Sequence, residues 1–161
     1  MNNIKIIKID EKQAKNFFDL YKAIVKADFK EWTDEYKKQW LEQEYSIDYW
    51  KELLSENKLP VFVAFDNEEM VGYLAVESIA YGVVYIGWVG VLKEYRKKGI
   101  ASRLMAEIEK WSKAKKFHKL ELETQIKTLL PFFEEQEFVL EGVRRNSWQK
   151  LDNYMFGKSI D

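Results

Sequence analysis

Residues 83–102 constrain this chain more than any other stretch: "VVYIGWVGVL" runs straight into "KEYRKKGIAS". The first run is apolar and rich in β-branched and aromatic residues, so it reads as a strand. After the basic turn, Leu104, Ile108, Trp111 and Ala114 fall on one stripe of a helix over residues 100–116. "KLELET" (119–124) then alternates apolar and polar, the mark of another strand. Strand, helix and strand in that order make a crossover whose two strands run parallel. Any fold for this chain must place that unit, in which a glycine-broken strand feeds a basic corner.

The flanking segments supply further strands and helices. Residues 4–9 read as a short strand, and 11–27 carry Ala14, Phe17, Phe18, Tyr21, Ile24 and Val25 at helical spacing. Residues 28–52 mix acids and aromatics without glycine or proline, and predict one or two helices ending near Leu54. "VFVAF" (61–65) and "MVGYLAVESI" (70–79) form a hairpin around a turn at 66–69. "TLLPFFEEQ" (128–136) is a short helix with Pro131 in its first turn, where a missing N–H costs little. Residues 138–145 and 154–160 close the chain as a hairpin. The order β, α-α, β-β-β, α, β, α, β-β predicts an α/β (α+β) fold with a mixed sheet and helices on both faces. No linker or repeat divides it, so residues 1–161 read as one domain.

Composition excludes several chemistries. There is no cysteine, and His118, the single histidine, reads as a surface residue after the helix, so no metal site is expected. Lys+Arg number 26 against Asp+Glu 27, a net charge of −1. Such a balance attracts neither nucleic acid nor an anionic membrane, and any basic site must be local. The N-terminus lacks a leader's apolar core, and the longest apolar run is too short to span a bilayer. The expected setting is cytoplasmic, with no nucleic-acid or membrane partner.

The corner itself carries chemistry. Gly87 and Gly90 stand inside the strand, where glycine often marks a bulge or a close approach by a ligand. Arg96, Lys97, Lys98 and Gly99 then precede a helix that starts near Ile100. A helix N-terminus offers unpaired N–H groups and partial positive charge. With three basic side chains and a glycine, it suits a pyrophosphate. A solvated turn is the plainer reading of the same residues, and neither a Walker A loop nor G-x-G-x-x-G is present.

"VGVLKEYRKKGIASRLM" resembles the acyl-CoA-binding motif of the GNAT family, the GCN5-related N-acetyltransferases, which runs roughly V-x-P-x-Y-R-x-x-G-x-G/A. This chain matches with Val91, Tyr95, Arg96, Gly99 and Ala101, and has Lys93 at the usual proline. "LPFFEEQEF" is similar to the family's L-Y-E-K-x-G-F segment, with Phe133 at the tyrosine and Phe138 at the phenylalanine. The element order over residues 4–160 matches as well. The resemblance implies a GNAT-type acyl-CoA N-acyltransferase fold and acetyl-CoA as cosubstrate, without metal. It implies that the main chain at Val89, Gly90 and Val91 holds the pantetheine, and that main-chain groups from Lys97 and Lys98 through Gly99, Ile100, Ala101 and Ser102 hold the pyrophosphate. By the same resemblance Arg96 positions the loop and phosphates, and Phe133 stands at the cofactor-side tyrosine.

The implied reaction is direct acyl transfer to a small amine, polyamine or peptide amine, which needs a base to free the amine. Glu121 aligns with a glutamate that serves as base in relatives acetylating protein N-termini; Glu77 is the second candidate. Both Glu121 and Glu123 share one face of their strand, and solvation or pairing with lysines is their plain alternative. Phe133 has no hydroxyl to protonate the leaving thiolate, Ile126 replaces the family's asparagine and Glu137 its glycine, so Tyr154 enters as a substitute acid. The aromatic and acidic stretch with Trp32, Tyr36, Trp40, Tyr45, Tyr49 and Trp50 is the expected substrate wall, suited to a cation by charge and cation–π contact. Packing in the core is the alternative for those rings. Exposed aromatics make a homodimer a reasonable expectation. The competing function is a non-catalytic acyl-CoA-binding or regulatory domain.

Overall fold

The structure, a computed structural model, describes residues 3–161. Its frame is a seven-stranded sheet in the order β1-β2-β3-β4-β5-β7-β6. The strands are β1 (Ile4–Lys8), β2 (Val61–Asp66), β3 (Glu69–Ala80), β4 (Val83–Val91), β5 (Lys119–Thr124), β6 (Val139–Arg144) and β7 (Asn153–Ser159). All pairs are antiparallel except β4 and β5, the two ends of the crossover. The closing hairpin forms, but β7 rather than β6 lies beside β5, so the last strand enters the sheet between its two predecessors.

Helices cover both faces. α1 (Ala14–Asp28) follows a capping box in which the Asp10 side chain accepts from Lys12 N and the Gln13 side chain accepts from Asp10 N. Its i, i+3, i+4 row of Phe17, Leu20, Tyr21, Ile24 and Val25 is buried with Trp50 from α3 (Ile47–Glu56) against Val61, Val63, Tyr73 and Trp88. Between these helices, α2 (Asp34–Gln39) continues into a π-helical turn, Trp40–Glu44. On the other face α4 (Ile100–Ala114) and α5 (Leu130–Glu135) bury Leu104, Ile108 and Phe133 against Leu74, Ile86, Leu122 and Phe156.

Two irregularities shape the centre of the sheet. Tyr81 and Gly82 both take positive φ, 52° and 85°, a tight turn between β3 and β4. The positive φ favours glycine at Gly82, and a Cβ there would lie 2.4 Å from Nδ1 of exposed His118, which packs over the turn. Farther along, Ala75 pairs with Trp88 but Val76 pairs with Ile86 and Ser78 with Tyr85. Gly87 and Glu77 are the residues left over, a bulge in both strands at one level.

Candidate active site

Beyond the bulge the sheet opens. Parallel pairing of β4 with β5 runs from Val83–Lys119 to Ile86–Leu122 and ends there, while β4 continues to Val91. Leu92 N donates to Val71 O at 2.9 Å. Because antiparallel bonding alternates, Gly90 and Trp88 also spend their main-chain groups on β3. Val89 and Val91 therefore turn theirs toward the gap between β4 and β5. The Val91 carbonyl accepts from Arg96 Nε at 3.0 Å.

The basic corner lies at the open end. After a 3-10 turn, Lys93–Tyr95, positive φ at Lys97 (59°) and Gly99 (77°) brings the chain into α4. Gly99 is the N-cap, no side chain caps the helix, and nothing stands within 4 Å of where a Cβ on Gly99 would be. The first N–H groups of a four-turn helix are thus left without a side-chain cap, which favours an anion. Lys97 and Lys98 are exposed, with the Lys98 ammonium 5.1 Å from the Tyr95 ring centroid. Ala101 is half-buried; the Ser102 hydroxyl accepts from Gln136 Nε2 at 3.0 Å, tying α4 to the end of α5. Ile100 is core, 2% exposed.

Some expected residues have other reasons for their identity. Gly90 faces α1: a Cβ there would stand 2.9 Å from Ile24 Cγ2 and 3.0 Å from Tyr73 Cε1, so its lack of a side chain lets the helix approach. Phe133 is 5% exposed and packs against Phe132, Phe138 and Phe156. Arg96 is held by Asp28, at the end of α1, as well as by the Val91 carbonyl.

At the bulge, Glu77 lies over Gly87, where an added Cβ would sit 2.8 Å from Glu77 Cβ. The Tyr45 hydroxyl donates to Glu77 Oε1 over a long 3.4 Å. Burial raises the Glu77 carboxyl above its ordinary value; the Tyr45 bond pulls it down and the charge of Glu123 pushes it up again. Burial, with the Glu77 charge adding, also pushes the Tyr49 hydroxyl up to about 12. Tyr45 and Tyr85 are raised too, first by burial and then by carboxylates that include Glu77. These hydroxyls around Glu77 stay protonated at neutral pH.

The other candidates lie apart. Glu121 is level with Tyr85, inside the paired part of the sheet, and its carboxylate is 3.0 Å from Lys119 Nζ. Glu123, on the same strand face as Glu121 but not a candidate from sequence, is the first β5 residue past the last β4 pair. It is bound by Arg144 at 3.0 Å and by Asn153 Nδ2 at 3.1 Å. Tyr154 packs in the core on the α4 side, 7% exposed, across the sheet from Glu77. The wall rings divide: Trp50 is fully buried core, whereas Tyr45 and Tyr49 pack edge to face at 5.0 Å and flank Glu77 with Trp88. Sequence alone carries no signal for Asp28, whose partner is far along the chain.

Comparison with known proteins gives the family and the fold. The family model described as Acetyltransferase (GNAT) family matches residues 23–138. Streptothricin acetyltransferase A of Bacillus subtilis is 29% identical over 90 residues, 56% of this chain and 50% of that protein. The chain thus spans about half the length of the curated relative it matches. Among solved structures, PaiA N-acetyltransferase from Thermoplasma acidophilum in complex with coenzyme A superposes with a TM-score of 0.81 at 18% identity, over 98% of this chain and 99% of that one. An N-acetyltransferase from Staphylococcus aureus gives 0.78 at 18% identity, over 99% of each chain.

Proposed function

The chain belongs to the GNAT acetyltransferase family, and from that premise we propose that it transfers an acetyl group from acetyl-CoA directly to a primary amine. The observation that carries this reading is one line of features along β4. The uncapped α4 N-terminus stands at the open end of the gap, the Val89 and Val91 main chain lines it, and Glu77 sits at its bulge.

These residues fit acetyl-CoA. The N–H groups from Lys97 to Ser102 would hold the diphosphate, and the main chain at Val89 to Val91 the pantetheine. Bound there, acetyl-CoA supplies an activated acyl group. An alkyl amine with a pKa near 10 reaches the site as an ammonium ion. Glu77, whose carboxylate form attracts that cation and whose pKa burial raises, takes its proton. The Val89 N–H donates to the oxygen that gains charge as nitrogen adds to the carbonyl. Tyr154 remains the candidate to protonate the thiolate. Its position across the sheet from Glu77 suits a donor that approaches the gap from the other side. Glu121, already paired with Lys119, serves the sheet better than the reaction. The aromatic wall around Glu77 suits a cationic acceptor, whether a small amine, a polyamine or a peptide N-terminus.

The second reading, an acyl-CoA-binding domain without turnover, rests on Phe133 lacking a hydroxyl. Thiol release from acetyl-CoA, measured with and without a panel of primary amines, decides between them. Amine-dependent release supports transfer; CoA binding without release for any amine supports the second reading.

A further inference from the structure

Residues 28–32, from the last residue of α1 toward α2, touch both lips of the gap. Asp28, the last residue of α1, binds the Arg96 guanidinium, whose Nε holds the Val91 carbonyl. A carboxylate at a helix C-terminus meets the negative end of the helix dipole. Asp28 therefore needs a cation, and the β4–α4 corner provides it. At the other end of the segment, Trp32 Nε1 donates to Gln125 Oε1 at 2.9 Å, and Gln125 Nε2 donates to the Trp148 carbonyl at 2.8 Å. Gln125 directly follows β5. Phe29 stacks on Trp32 with centroids 4.1 Å apart, which braces the segment between its two fastenings. From Trp32, packed rings lead through Trp40 at 5.1 Å and Tyr45 at 4.4 Å to the hydroxyl on Glu77.

We propose that Asp28 is a positioning residue: through Arg96 it makes the strap at 28–32, and with it the aromatic wall around Glu77, respond to occupation of the α4 corner. Arg96 bonds both the main chain of the corner and the strap. An anion arriving at the corner alters its hold on Asp28, and the strap carries the change across the gap. Such coupling is reciprocal, so the state of the strap also sets the affinity of the corner for the cofactor. The inference rests on the reading of the corner as the CoA diphosphate site.

The test is amide hydrogen exchange on the full chain with and without CoA, comparing wild type with Asp28→Asn, which keeps the side chain's shape and removes its charge. In wild type, CoA changes exchange both at residues 97–103 and across 29–45. In Asp28→Asn the response at 97–103 persists and the response across 29–45 is lost. Amine KM rises about fivefold in that variant, with kcat near wild type. Trp32→Phe, which keeps the ring stack but removes the indole N–H, shows the same split. An unchanged response across 29–45 in Asp28→Asn overturns the inference alone. A wild type unresponsive at 97–103 overturns the corner reading and the inference with it.

Discussion

Glu77 is the base in the reaction we propose, and its environment yields two linked predictions. Glu77→Gln keeps the shape over Gly87 but removes the base, so kcat/KM falls by about 10²–10⁴-fold. Because burial raises its pKa in the folded state, the native fold favours the protonated form. The stability this group lends is therefore present below the ordinary carboxylate range and is lost as pH rises through the raised value. At pH 7 Glu77→Gln should melt at or above wild type, and the difference should shrink on acidification. The acid limb of kcat/KM in wild type should lie above the ordinary carboxylate range and vanish in the variant. Among single residues the site is only partly legible in the sequence. Glu121 stands first there and Glu77 second, since alternation shows which residues share a face but not where strand pairing ends. Ile86–Leu122 being the last pair, together with the bulge at Gly87, separates them.

Helix α1 and strand β4 meet at Gly90, where the fit between two elements can be probed by one methyl group. A methyl at that position stands under 3.0 Å from Ile24 Cγ2, so Gly90→Ala must push α1 away or shift the strand. We expect a loss of about 1–3 kcal/mol in chemical denaturation, the usual cost of overpacking. Gly90→Ala should also disturb Asp28, one turn beyond Ile24, and weaken the response of the strap to CoA. The elements are readable from sequence because their apolar periods are clean: Phe17, Tyr21 and Ile24 on α1, Leu104 and Ile108 on α4, Leu120 and Leu122 on β5. The strap is not, because Asp28–Arg96 and Trp32–Gln125 join residues far apart in the chain. Exposed-looking acids and aromatics give no hint of such partners. In sequence Gly90 suggests ligand approach, and only the packing of Tyr73 and Ile24 shows its use against α1.

Across the whole molecule, the crossover from β4 through α4 to β5 fixes a mixed sheet, and the hairpins add their strands around it. Residue patterns reveal that much. They do not reveal the insertion of β7 between β5 and β6, since a hairpin's sequence is silent on which strand faces inward. The same crossover sets the gap against the uncapped end of α4, and our reading puts the diphosphate of CoA at that corner. Gly99 has positive φ and open space beside it, so Gly99→Ala should cost about 1 kcal/mol from backbone strain alone. The deciding experiment is thermal melting of wild type and Gly99→Ala with acetyl-CoA at about a hundredfold over its Kd for wild type. Wild type should gain about 2.7 kcal/mol, or roughly 5–10 °C, and Gly99→Ala less than half of that. No shift in wild type, or an equal shift in both proteins, would remove the diphosphate from this corner.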